Sequence, residues 1–242
     1  MSPSNIEILA YDETPLGPLC LRRRRLLSEP DTVVTEITLD HEFLMSSHHA
    51  ASERALATGA LALHDRTALD VLVGGLGLGY TAREMLASDR VRSVRVAELL
   101  PQVIQWMRAG LVPLSGELNA DTRFDPFVGD VYALLAEPPL RTYDLILIDV
   151  DHSPTERLAG QNAEFYAAPG IERARAHLSP GGVLGVWSYA SSSAFADALR
   201  RVFRDVRATP VTFRNSHVGE EQTDWLFFAR IGASGSAPGG VS

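Results

Sequence analysis

Four glycines, Gly74, Gly75, Gly77 and Gly79, crowd into six positions behind the apolar run "LDVLV". Glycine in an element boundary costs backbone entropy, so a cluster of this density implies a backbone that must approach something closely. A phosphate, a dinucleotide and a sulfonium nucleoside are the three ligands such a loop can serve. A phosphate loop of the Walker type needs Lys-Ser/Thr after its last glycine, and here Tyr80 and Thr81 follow Gly79. Gly77, Gly79 and Ala82 satisfy the looser dinucleotide pattern G-x-G-x-x-A, with Glu98 at the end of the next strand to hold ribose hydroxyls. Further acids close later apolar runs: Asp130 in "VGDVY", then Asp149, Asp151 and His152 in "IDVDHSP". A carboxylate ending the most apolar strand is expensive unless it is paired or faces a site. An imidazole, with its near-neutral pKa, suits a proton acceptor. His48, His49 and Glu53 lack a further partner at ligand spacing, so no metal is expected.

The elements that must position these residues alternate. "LDVLVGG", "VRSVRVAEL", "RFDPFVG", "YDLILIDV" and "GGVLGVWSY" read as strands. "YTAREMLAS", "PQVIQWMRAG", "DVYALLAE", "AEFYAAPGIERARAHL" (broken near Pro169) and "AFADALRRVF" read as the intervening helices. Near-continuous apolar strands alternating with helices imply a parallel sheet covered on both faces. "RATPVTF" and "DWLFFARI" close the run as a hairpin pair. Ahead of it, "IEILAY", "LCLRRR" and "VVTEITL" are short strands, and a helix is expected from Ser47 with Ser46 or Ser47 as its N-cap. The expected division is a small β-strand domain over 1–47, a ligand-binding α/β domain over 48–232, and a disordered low-complexity tail over 233–242.

Composition sets outer limits. The chain has 242 residues, 45% of them hydrophobic, and can bury a full core. A net charge of −8 argues against a nucleic-acid backbone or an anionic membrane as partner, and Arg22–Arg25 read as a solvated strand end. One cysteine, Cys20, fits a reducing compartment, and the absence of an apolar leader or long apolar segment completes a cytoplasmic expectation.

Taken together, the motifs resemble the class I AdoMet-dependent methyltransferase superfamily and, within it, the spermidine synthase branch. "GGLGLGYTARE" is similar to that branch's GGGDGG-T-x-R-E loop, "AELLPQVI" to VEIDPEVI, "GDVYALL" to GDGxxFL, and "DVDHSP" to DSSDP. "EFYAAPGIERARAHLSPGGVLGVWS" tracks its FY…LxPGGxxxxQS segment. The resemblance implies a Rossmann-like, mostly parallel α/β sheet with an antiparallel last strand and a small N-terminal β-domain. It implies that S-adenosylmethionine (AdoMet) or its decarboxylated form is the co-substrate. Gly75, Gly77, Leu78, Gly79, Glu98, Leu99, Asp130 and Val131 would then bind the donor, with Glu98 on its ribose hydroxyls and Asp130 on its adenine amine. Asp149, Asp151 and His152 would be catalytic, with Glu42, Tyr166 and Trp187 on the acceptor side.

The departures matter as much. Leu78 stands where the branch has an aspartate facing the donor's amino group, Leu100 replaces another acid, and Met45 takes a tyrosine's place. An apolar residue at 78 offers no countercharge to an aminopropyl ammonium and does not repel the carboxylate of intact AdoMet. The expectation is therefore a transferase alkylating a small polar acceptor, amine or carboxylate, with methyl transfer ahead of aminopropyl transfer. An NAD-dependent oxidoreductase and a non-catalytic relative of the fold remain alternatives, and a homodimer is possible.

Overall fold

The computed structural model describes residues 5–27, 29, 31–150, 163–215 and 220–232. They form two sheets. The first is an antiparallel meander of β1 (Ile6–Thr14), β2 (Gly17–Arg25), β3 (Val33–Leu39) and β4 (Glu42–Ser46), paired in chain order. Asp40 and His41, both at positive φ (49° and 65°), make the two-residue turn between β3 and β4. Two positive-φ residues are what a hairpin turn matched to strand twist requires. The β4 strand was not expected from sequence. It also removes the expected helix start, because Ser46 ends the strand and accepts from the His48 N–H at 3.2 Å. Ser47 Oγ accepts from the Thr35 N–H at 2.9 Å, stapling β4 to β3. Helix α1 (Ala51–Ala62) starts later, with Ala50 at its N-cap and no side-chain cap.

The arginines of β2 are not a plain solvated end. Arg22 and Arg24 lie on one face of the strand and both bind Glu36 of β3, at 3.0 and 2.7 Å. Glu36 is fully buried, so its charge is tolerable only because two guanidiniums cover it.

The second sheet runs β10-β11-β9-β8-β5-β6-β7. Its strands are β5 (Leu69–Gly74), β6 (Val91–Glu98), β7 (Phe124–Val128), β8 (Tyr143–Ile148), β9 (Leu178–Ser188), β10 (Asp205–Asn215) and β11 (Glu220–Arg230). The pairings among β7, β6, β5, β8 and β9 are parallel, and β11 is antiparallel to both its neighbours. This is the expected α/β architecture with its reversed last strand and a separate N-terminal sheet.

Side chains alternate across the central strands. Val71, Val73, Leu145 and Leu147 pack with α1, α2 (Tyr80–Leu86) and α3 (Pro101–Arg108); Leu19, Leu21 and Ile37 of the N-terminal sheet join this same cluster. Leu72, Ile146 and Ile148 pack with α5 (Val131–Ala136), α6 (Ala168–Ala176) and α7 (Ser193–Val202) on the other side. A short α4 (Ser115–Ala120) was not foreseen. Helix α6 is shorter than the sequence suggested: residues 163–167 are turns, and Pro169 sits in the first helical turn, where its missing N–H costs nothing. No helix among the described residues is long and apolar enough to cross a membrane.

The buried ion pair gives a test of this frame. Glu36→Ala strands two partly buried guanidiniums, and should lower the unfolding free energy in urea by about 2 kcal/mol, the range for hydrogen bonds to charged groups.

Candidate active site

In an open α/β sheet, ligands bind beyond the carboxyl ends of the strands, where the strand order reverses. Here that point lies between β5 and β8, and backbone hydrogen bonds join the strand ends around it. The Asp149 N–H donates to Gly74 O at 2.8 Å, the Gly75 N–H to Ala97 O at 2.9 Å, and the Gly129 N–H to Glu98 O at 2.9 Å. Gly75 (φ 93°) crosses the Asp149 carbonyl so closely that a Cβ would collide with it. Gly79 (φ 90°) is the N-cap of α2, and a Cβ there would lie 2.5 Å from Leu118 Cδ1. Both glycines are therefore demanded by the protein's own packing. Gly77 (φ 47°) differs: the space a Cβ would take holds the thioether of Met45, reaching over from β4. Met45 Sδ accepts from the Leu78 N–H at 3.2 Å.

Glu98 fixes the loop from below. It is 8% exposed, and its two carboxylate oxygens accept from the Leu76 N–H at 2.8 Å and the Leu100 N–H at 2.9 Å. Burial pushes its pKa up, while the N–H groups of Leu100, Leu76, Gly77 and Leu99 pull the other way. Beside it Leu99 is 54% exposed, an apolar surface left open at the strand end. Asp130 caps α5, accepting from the Tyr132 N–H at 2.8 Å.

On the other side of the loop stand three carboxyl groups, Glu53 of α1, Asp149 after β8 and Asp224 of β11; Asp149 and Asp224 raise the proton affinity of Glu53, and Asp224 raises that of Asp149. Asp149 accepts a short hydrogen bond from Thr81 Oγ1. Burial, reinforced by the charge of Asp224, pushes its pKa up to about 6 against the pull of Thr81. Glu53 accepts from Ser52 Oγ at 3.0 Å and is pushed up to about 8, by burial first and then by the charge of Asp149. Asp224, 3% exposed, accepts from Trp187 Nε1 at 3.3 Å, and burial raises its pKa also. Like charges this close cannot all ionise without a cation between them. The described residues include no group of three or more His, Cys, Asp or Glu arranged to hold a metal.

Of the site residues expected from sequence, Gly75, Gly77, Gly79, Glu98, Leu99 and Asp149 converge on this edge, and Trp187 reaches it through Asp224. Four do not. Leu78 is 2% exposed and packs in the core, so it presents no wall to a donor. Val131 packs beneath β5, where a Cβ on Gly74 would lie 2.6 Å from its Cγ1. Tyr166 is also core, its hydroxyl paired with that of Tyr132 at 2.7 Å. Glu42 is exposed at the start of β4. Asp151 and His152 lie outside the described residues. Sequence reasoning missed Asp224 and Thr81 and weighed Glu53 only as a metal ligand. The available signal for Asp224 was an acid heading the apolar run "WLFFA".

The raised carboxyls make stability fall with pH. Glu53 and Asp149 keep protons in the folded chain at pH values where ordinary carboxyls, at 4.5 and 3.8, have lost them. Their contribution is full below those ordinary values and is lost as pH rises through about 6 and about 8. Glu53→Gln should accordingly flatten the decline of unfolding free energy over this interval, measured by urea titration at successive pH values.

No protein-family model matches the chain. Polyamine aminopropyltransferase 2 of Pseudomonas aeruginosa is 31% identical over 242 residues, covering 89% of this chain and 67% of that protein. Polyamine aminopropyltransferase 2 of Streptomyces coelicolor is 33% identical over 142 residues, 57% of this chain but 24% of that protein. The polyamine aminopropyltransferase of Prochlorococcus marinus is 32% identical over 137 residues, 56% of this chain and 44% of that protein. Among solved structures, spermidine synthase from Thermotoga maritima superposes with a TM-score of 0.73 at 18% identity, covering 94% of this chain and 74% of that one. A spermidine synthase in complex with the transition-state analogue AdoDATO gives 0.73 at 21% identity, with the same 94% and 74% coverage. At such identities these structures speak for the fold. With the sequence identity to the Pseudomonas protein sustained over most of the chain, and with the fold shared, the chain belongs to the polyamine aminopropyltransferase family, spermidine synthase-like transferases of the class I AdoMet-dependent fold.

Proposed function

We propose that the protein transfers an aminopropyl group from decarboxylated AdoMet to an amine. The observation that carries this reading is the trio Glu53, Asp149 and Asp224, buried beside the glycine loop. Both reactants of an aminopropyl transfer carry ammonium groups, and three buried acids favour such groups over anions. The same trio speaks against a carboxylate acceptor. Methyl transfer, expected from Leu78, loses its ground because that side chain is turned into the core. Family membership supports the aminopropyl alternative.

In this reading the Glu98 carboxylate receives the ribose hydroxyls in exchange for part of the backbone N–H contacts that hold it in the ligand-free chain, and Leu99 lies beside the bound nucleoside. Asp130 takes the adenine amine while still capping α5. The acceptor enters as a neutral amine whose nitrogen attacks the donor's aminopropyl carbon next to sulfur. An N–C bond forms, the C–S bond breaks, its electron pair stays on sulfur, and methylthioadenosine leaves. Alignment of the two reactants supplies much of the rate. Asp149 orients the attacking nitrogen, and the proton it sheds passes to a carboxylate or to the expected acceptors Asp151 and His152.

Two measurements test this. Incubation with decarboxylated AdoMet and 1,4-diaminobutane should release methylthioadenosine in an amine-dependent way; production of S-adenosylhomocysteine from intact AdoMet would instead restore the methyl-transfer reading. Glu98→Ala should weaken methylthioadenosine binding in calorimetry by about 1.5–3 kcal/mol, the range for hydrogen bonds to a charged group. Unchanged affinity in the folded variant removes Glu98 from the donor site.

A further inference from the structure

Thr81 lies in the first turn of α2, directly behind the glycine loop. Helical threonines commonly return the hydroxyl proton to the carbonyl four residues back. Here that residue is Gly77, still in the loop, and the hydroxyl reaches out of the helix to two other elements. It makes a short hydrogen bond to Asp149 Oδ2, after β8, and lies 3.3 Å from the Glu53 carbonyl oxygen of α1. The residue is 2% exposed, so solvent has little access to it.

A hydroxyl carries one hydrogen and two lone pairs, so it cannot donate to Asp149 and to the Glu53 carbonyl at once. With Asp149 ionised the hydrogen belongs on the carboxylate, because a charge-assisted bond is roughly twice as strong as a neutral one. With Asp149 protonated the direction reverses. The carboxyl O–H donates to Thr81 Oγ1, and the Thr81 hydrogen turns to the Glu53 carbonyl. Thr81 gains and loses no proton, and in neither arrangement is its buried hydroxyl without an acceptor. The charged form keeps the stronger bond, so Thr81 pulls Asp149 toward the carboxylate, against burial and the charge of Asp224. The titratable groups facing Asp149 are Glu53 from α1 and Asp224 from β11, both acids. Arg54 of α1 lies over the Tyr80 ring at 5.5 Å, and Arg83 and Glu84 of α2 pair with each other at 3.5 Å.

We propose that Thr81 is a positioning residue for Asp149: its hydroxyl holds the carboxylate that addresses the reacting nitrogen, and turns to the Glu53 carbonyl when that carboxylate takes up a proton. Asp149 can then accept the proton shed in the reaction while the joint between α1 and α2 stays bonded. As a statement about catalysis this rests on the aminopropyl-transfer reading; the hold of Thr81 on Asp149 is a property of the free protein.

Carbon-13 NMR of protein labelled at its aspartate carboxyl carbons follows this titration directly, the Asp149 signal being identified by its loss in Asp149→Asn. Wild type should titrate at about 6. Thr81→Val keeps the shape and loses the hydroxyl. It should titrate about one pH unit higher or more, a tenfold gain in proton affinity on losing a hydrogen bond to a charged group. Thr81→Ser keeps the hydroxyl and should titrate with wild type; if Thr81→Val does not fold, Thr81→Ala makes the same comparison. A Val or Ala variant with the wild-type midpoint, or a Ser variant displaced as far as they are, overturns the assignment. The second readout is kcat for methylthioadenosine release with 1,4-diaminobutane, taken as the ratio of variant to wild type so that the acceptor's own ionisation cancels. Thr81→Val should be up to about tenfold slower on the acid side of the midpoints, approach wild type on the alkaline side, and leave methylthioadenosine affinity unchanged. A deficit equal at every pH marks a merely structural residue and also overturns it. The two readings fail separately, because the NMR titration needs no substrate. Absence of amine-dependent release from wild type strikes aminopropyl transfer, and the titration still decides whether Thr81 holds Asp149.

Discussion

At Gly75 the backbone passes the Asp149 carbonyl too closely for any side chain, and the arrangement of the site depends on that crossing. The Asp149 N–H is tied to Gly74 O by a hydrogen bond of 2.8 Å, so the glycine loop and the end of β8 are fastened to each other. The loop is held again by Glu98, whose oxygens grip Leu76 and Leu100 on either side of the strand end. A donor resting on the loop and an acceptor resting on Asp149 would therefore meet at a distance set by backbone contacts. Such rigidity is what an in-line displacement asks of a scaffold.

The second constraint is electrostatic and works against the first. Glu53 and Asp224 come from α1 and β11 and Asp149 follows β8, places far apart in the chain, and folding forces them together. The protein meets the cost in part with hydrogen bonds from Thr81 to Asp149, from Ser52 to Glu53 and Asp224, and from Trp187 to Asp224. The remainder is carried as retained protons, with pKa values up to about 6 for Asp149 and about 8 for Glu53. Gathering these acids thus costs stability, a common trade at functional sites.

The sheet was legible in the sequence because its signals are local. Apolar runs such as "YDLILI" and caps such as Asp130 and Gly110 mark their elements without reference to the rest of the chain. The β4 strand was hidden because "EFLMS" is short and runs straight into residues that read as helix. Of the site, the glycine loop, Glu98 and Asp149 were readable, since each ends a strand and the chemistry follows from that position. Leu78 was misread for a physical reason: in a loop with three positive-φ glycines, side-chain direction is not set by strand or helix periodicity. Asp224 was invisible for another, because its meaning depends on the reversal of β11, which only the assembled sheet supplies.

Gly77 shows how the two sheets are joined at the site. The loop needs glycines at 75 and 79 for its own packing, but at 77 the neighbour is Met45, delivered by the N-terminal meander. Its sulfur accepts from the Leu78 N–H at 3.2 Å, a weak bond through a polarizable and unbranched side chain. A backbone donor of the loop is thereby covered by a residue that can rearrange at little cost. Tyrosine, which the resembling loop has in this place, would present a rigid ring and a hydroxyl. Methionine instead covers the loop with a flexible thioether, while Glu98 and the Gly75 crossing hold it from the other side. The N-terminal sheet therefore meets the loop through one unbranched thioether, and the central sheet holds it through backbone contacts.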